Sequence, residues 1–293
     1  MKSSLKTLFT VLIVSFIVLN FAGCAKKGPC LECASAEKSQ QQQEAWQNLS
    51  MKVSQNYQLG KLKEATDAAN ETLKFAKKAF GEKSPKVATA LNNLGELYRV
   101  QNKFKEAEAQ YKKSLQIRRE VLGNDHVDVS VSLNNLATLY VLQRKYPQAE
   151  PMYNEALKIL EAKLGSNHAG LLVPLANLTD LYKAQQRYSD AEVTLKKILA
   201  IYEKTNKKND LTYPKTLNDL AAVYYLEGKY KEAEPIFNQT LTTLETKLGK
   251  NHPDVVIVLE NMAELYKKLG NEAKANELLS RASSIKAGKV AKS

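Results

Sequence analysis

Side chains that could do acid–base, nucleophilic or metal chemistry are few in this sequence, and their spacing argues against such roles. The three histidines, His126, His168 and His252, are separated by one and then two steps of 42 residues. Equivalent positions in a repeating chain lie one or more repeat rises apart, so the three imidazoles do not converge on one substrate. They read as turn caps rather than as a catalytic or metal set. No strand pattern precedes a Gly-rich phosphate loop, and no G-x-S-x-G, H-E-x-x-H or Cys–His pairing is present. No catalytic residue, metal ligand or cofactor is expected, and no small-molecule substrate. Of the three cysteines, Cys30 and Cys33 form a Cys-x-x-Cys. A redox role would need a βαβ context, haem attachment a histidine at 34 (it is Ala34), and zinc further ligands. A small disulfide ring, or two reduced thiols in a linker, fits better.

What remains is a set of amides at a fixed period. Leu91-Asn-Asn-Leu-Gly-Glu-Leu-Tyr98 returns in altered form from Leu133, Leu175, Leu217 and Leu259, each 42 residues on. A second block keeps phase: Phe104-Lys-Glu-Ala107, Tyr146-Pro-Gln-Ala149, Tyr188-Ser-Asp-Ala191 and Tyr230-Lys-Glu-Ala233. Such phase defines a repeat array. Within one repeat, Leu91, Leu94, Gly95 and Tyr98 share one stripe of a helix. Ala107, Tyr111 and Ser114 share the inner stripe of a second. The small residue at 95, with Ala137, Ala221 and Ala263 in register, lets the partner helix come close. Thr179 is the larger variant.

Leu122-Gly123, Leu164-Gly165 and Leu248-Gly249 end second helices, with glycine as the expected left-handed cap. Asn251-His252-Pro253-Asp254 opens the next first helix. Asn206-Lys-Lys-Asn-Asp210 replaces that junction once, with a more polar and looser connection expected. A degenerate first repeat starts near Leu49, because a terminal unit has one face without a neighbour.

Two antiparallel helices per unit, a small-residue contact and an aromatic-to-alanine contact resemble the tetratricopeptide repeat. The 42-residue step with Leu-Gly-x-x-His-Pro-Asp-Val is similar to the kinesin light chain type. The resemblance implies an all-α, right-handed superhelical solenoid of tetratricopeptide helix pairs over residues 44–286, in about six units. It also implies that first helices line a concave groove, and that the second Asn of Leu-Asn-Asn-Leu bonds the backbone of an extended peptide. The groove residues are then Asn92, Asn93, Glu96 and Arg99, followed by Asn134 and Asn135. Asn177, Lys183, Asn218 and Asn261 complete them. Asp219 departs from the amide pattern. The same asparagines could instead hold the helices of the array together, since an amide both donates and accepts.

At the amino terminus, Lys2 and Lys6 precede an apolar run from Leu8 to Leu19 that is too short to span a bilayer. It ends in Phe21-Ala-Gly-Cys24, which resembles a bacterial lipoprotein signal. That likeness implies cleavage after residue 23, a lipid-bearing Cys24 as the first mature residue, and membrane attachment through it. An ordinary secretory leader is the other reading. Ala25 favours the outer membrane, facing the periplasm of a bacterial envelope. Residues 24–43, rich in Lys, Gly, Ser and Gln, read as a flexible tether, and 287–293 as a basic tail. The formal charge of +12 falls to +10 without Lys2 and Lys6. The lysines are spread over helix surfaces, which points to a solvated basic surface and not to nucleic-acid binding. The function expected is a lipid-anchored scaffold that binds a peptide or protein segment. The alternative is a pilotin-like or outer-membrane assembly factor that localises another membrane protein.

Overall fold

The computed structural model describes residues 31–288. Every regular element among them is helical: α1 (Leu31–Gln58), α2 (Leu62–Phe80), α3 (Pro85–Val100), α4 (Phe104–Leu122), α5 (Val127–Leu142) and α6 (Tyr146–Leu164). After a 3-10 turn at Ala169–Leu171 come α7 (Leu172–Ala184), α8 (Tyr188–Lys204), α9 (Thr212–Leu226), α10 (Tyr230–Leu248), α11 (Pro253–Lys268) and α12 (Glu272–Lys286). The chain divides between Gln47 and Asn48, and the repeats lie in the second part. Residues 31–43, expected to be irregular tether, are helical within α1. Their Ala, Glu, Gln and Lys side chains lose little rotamer freedom in a helix, so propensity sustains it without an apolar stripe.

The turn inside each repeat is a Schellman motif. The Lys103 N–H reaches the Tyr98 carbonyl at 2.9 Å and the Asn102 N–H that of Arg99 at 3.0 Å. The long bond recurs from Lys145 to Tyr140, Arg187 to Tyr182, Lys229 to Tyr224 and Asn271 to Tyr266. The left-handed residue it requires is Asn102, Arg144 or Gln186 in three repeats and Gly228 or Gly270 in two. The Leu-Gly ends differ from expectation. Gly123 has φ 85° and ψ 163°, and Gly165 has φ 88° and ψ 154°. The φ is positive but the backbone is extended, a region nearly exclusive to glycine, so the chain leaves α4 and α6 straight rather than curling back.

Three first helices, α3, α5 and α11, start on side-chain caps, and so does the 3-10 turn before α7. Ser84 Oγ accepts from the Val87 N–H at 3.3 Å, and His126 and His252 Nδ1 accept from Asp128 and Asp254 N–H at 3.1 Å. His168 does the same for Gly170 at 3.0 Å. The connection from α8 to α9 is closed by its own bonds: Tyr202 Oη reaches Thr212 Oγ1 at 2.7 Å and Asp210 accepts from the Thr212 N–H at 2.9 Å.

The helix pairs lock through a small-to-large contact. A Cβ on Gly95 would lie 2.7 Å from the Tyr111 ring, so only a hydrogen fits there without movement. Ala137 and Ala221 are fully buried, in register with the buried rings Tyr153 and Phe237 on the partner helices. Where the ring position holds Leu195, the opposite residue is Thr179, and its hydroxyl donates to Thr194 at 2.7 Å. One continuous apolar core runs from Ala107 to Ile285, and a smaller one joins Val53, α2 and α3. First helices α3, α5 and α7 touch in succession, as do α9 and α11, whereas second helices do not approach each other so closely. The stack therefore has its tighter side along the first helices.

Candidate peptide-binding face

Each first helix carries its amides at one place on that tighter side, and the array bonds them into a ladder. Asn135 Nδ2 donates to Asn92 Oδ1 at 2.9 Å, Asn177 to Asn134 at 3.0 Å and Asn261 to Asn218 at 3.1 Å. The second amide of one repeat thus grips the first amide of the repeat before it. Between α7 and α9 the ladder is replaced: the two positions hold Ala176 and Asp219, and Lys183 Nζ bridges to Asp219 at 3.4 Å and Asp180 at 3.7 Å. Asn93 enters no side-chain hydrogen bond among the described residues, because Ser50 occupies the position that an amide would fill. Asn261 keeps one N–H and its carbonyl oxygen for other partners. Asn135 keeps one N–H while its oxygen accepts from Asn134 at 3.5 Å, and Asn177 keeps its oxygen while its amino group also reaches Thr138 Oγ1 at 3.4 Å. The asparagines therefore hold the array together and still present peptide-like groups.

Charged residues on this face neutralise one another. Arg99 makes a two-pronged contact with Glu96, at 2.8 and 2.5 Å, and Tyr111 Oη donates to the same carboxylate at 2.9 Å. Burial alone would raise the Glu96 carboxyl, but Arg99 and Tyr111 outweigh it and hold the group below its usual value. Burial, together with the Glu96 carboxylate, pushes the Tyr111 hydroxyl far up. Glu264 pairs with Lys267 at 2.7 Å, Glu260 with Lys286 at 2.5 Å and Lys215 with Asp254 at 3.7 Å. All ten expected groove residues lie on α3, α5, α7, α9 and α11, half-buried. Cys24 and Cys30 lie outside the described residues, as does the Cys33 side chain.

Two features of this part of the molecule were not read from the sequence. The first is an apolar line one turn before the amides: Val131, Val173 and Ile257 are 42%, 40% and 56% exposed. They sit three or four residues ahead of Asn134, Asn135, Asn177 and Asn261, hence on the same stripe. The second is a latch between repeats. Tyr140 Oη donates to Glu108 at 3.0 Å, Tyr182 to Glu150 at 3.2 Å, Tyr224 to Glu192 at 3.2 Å and Tyr266 to Glu234 at 2.7 Å. The cation of the following turn joins three of these: Lys145 reaches Glu108 at 3.8 Å, Arg187 reaches Glu150 at 2.6 Å and Lys229 reaches Glu192 at 2.8 Å. Each cation also lies over its tyrosine ring, Arg187 most closely at 4.4 Å. The 42-residue recurrence of those glutamates was the available signal.

No group of three metal-ligating side chains occurs among the described residues, and no described helix is long and apolar enough to cross a membrane. Paired helices, a small-to-aromatic contact and a ladder of first-helix amides define a tetratricopeptide solenoid. The chain belongs to the tetratricopeptide repeat family, whose profile matches residues 53–120, 87–162, 133–204 and 213–287. Solved structures similar to it include kinesin light chain TPR-like repeats from Podosopora anserina, at 22% identity over 70% of this chain and 98% of that one, with a TM-score of 0.64. BtubC (BKLC) from P. vanneervenii matches at 19% identity over 82% and 92%, with a TM-score of 0.65. YrrB, described as a TPR protein with an unusual peptide-binding site, matches at 18% over 73% and 91%, with a TM-score of 0.51. No curated protein matches the sequence significantly.

Proposed function

We propose that this protein is a lipid-anchored scaffold that holds an extended segment of a partner protein along the first-helix face of its array. The observation that carries this reading is the amide ladder: half-buried groups, each with a donor or an acceptor to spare, repeated along the first helices and interrupted once between α7 and α9. Unsatisfied peptide groups of an extended ligand find matched partners there. A peptide-binding site on the same fold in YrrB is in keeping with it. Attachment through a lipidated Cys24 would keep the scaffold at a bacterial membrane, the outer one on the strength of Ala25. Placing a photo-crosslinking residue at Val131 tests the binding face, with Val193, 67% exposed on α8, as the control. Partner crosslinks from Val131 and not from Val193 support the reading, and the reverse pattern refutes it. Changing Cys24 to Ser tests the anchor: the protein should move from the membrane fraction to the soluble one.

A further inference from the structure

We infer that the α3–α5–α7 part of the face selects an uncharged segment in the polyproline II conformation, with a small apolar side chain at every third position. This rests on the proposed binding face and adds the chemistry of its occupant.

Charge comes first. Past the helix starts, each carboxylate named on the face lies within 4 Å of an ammonium or guanidinium of the array, Asp180 and Asp219 sharing Lys183. A charged ligand would have to break one of these pairs to make its own, and the exchange gains little. The net positive charge of the chain is carried elsewhere, so the face has no field with which to attract an acidic peptide.

Spacing comes second. Three successive repeats carry a methyl-bearing side chain and an amide at fixed register: Thr89 with Asn93, Val131 with Asn135, and Val173 with Asn177. The amides of neighbouring helices are in hydrogen-bond contact, so the rungs stand one helix-packing distance apart, about 8–10 Å. A polyproline II chain advances about 9 Å in the three residues of one turn and then presents the same face again. A β-strand covers about 10 Å in three residues but turns the opposite face to the next rung. Only the first geometry lets each rung meet the same side of the ligand. Polyproline II also leaves its backbone groups unpaired, and these are what the Asn93 amide, the second N–H of Asn135 and the carbonyl oxygen of Asn177 can bind. The register ends at α9, where Lys215 and Asp219 replace the apolar and amide positions. The site is therefore three rungs long.

The test is selection of random displayed dodecapeptides on the full chain, followed by affinity measurements on a synthetic consensus. Enriched peptides should lack Asp, Glu, Lys and Arg, carry small apolar residues at i, i+3 and i+6, and bind independently of salt. Val131→Ser with Val173→Ser should weaken the consensus about tenfold, and Val193→Ser should leave it unchanged. Enrichment of charged, salt-sensitive peptides that still depend on Asn93 would overturn this inference and leave the binding face standing. No enrichment, or binding indifferent to every first-helix substitution, would overturn both.

Discussion

Glu192 offers a quantitative test of the latch between repeats. Its carboxylate accepts from Tyr224 Oη at 3.2 Å and pairs with Lys196 at 2.6 Å and Lys229 at 2.8 Å. Burial pushes the group up, but the two ammonium groups outweigh this and hold it down to about 2, from an ordinary value of 4.5. A folded value below the unfolded one means that the native state is favoured while the group is ionised. That contribution is complete above pH 4.5 and is lost as pH falls toward about 2. Taken at face value the gap corresponds to about 3 kcal/mol. The ammonium side chains are 54% and 41% exposed, and solvent screening brings the contribution to about 1–2 kcal/mol. Glu192→Gln keeps an oxygen for Tyr224 and removes only the charge. Chemical denaturation followed by circular dichroism, at constant ionic strength, should show the variant less stable by that amount at neutral pH. The difference should shrink below pH 4.5 and vanish near the value to which Glu192 is held. A deficit that stays constant across this range would refute the electrostatic account and leave packing as its cause.

Arg144 and Gln186 hold φ of 58° and 59° in exposed Schellman turns. Changing either to Gly should stabilise the array by about 0.5–1 kcal/mol, read as a raised denaturation midpoint, since the left-handed strain exceeds the added freedom of the unfolded chain. Asn135→Ala removes a ladder bond and should cost about 1 kcal/mol, whereas Asn93→Ala, which breaks none, should stay within about 0.5 kcal/mol of the wild type.

Most of the fold could be read from the recurrence of Leu91, Tyr98 and Ala107, because helical period and repeat period reinforce each other there. The His126 and His252 caps were legible for the same reason, being set by local chemistry beside a helix start. Backbone detail was less accessible. Arg144 and Gln186 give no hint of a positive φ, since the Schellman bond to Tyr140 or Tyr182 imposes it. Residues 31–43 misled because the absence of an apolar stripe was taken for the absence of a helix. At the site, the amides were identifiable, but not their division of labour. Asn93 and Asn135 occupy the same motif position and differ only in what the preceding repeat places opposite them. The Tyr–Glu latch was hidden for a similar reason: it joins residues 32 apart across two units, a separation that intra-repeat reasoning does not sample.

The most direct test of the central claim is cross-linked partner capture from cell envelopes by the natural chain, by Asn93→Ala with Val131→Asp and Val173→Asp, and by Val193→Asp. All three substituted valines are exposed, so each protein should retain its helicity. Capture by the natural chain and Val193→Asp, with loss in the triple variant, is the result that this account requires. Equal capture by all three would place the binding surface away from the first helices and contradict it.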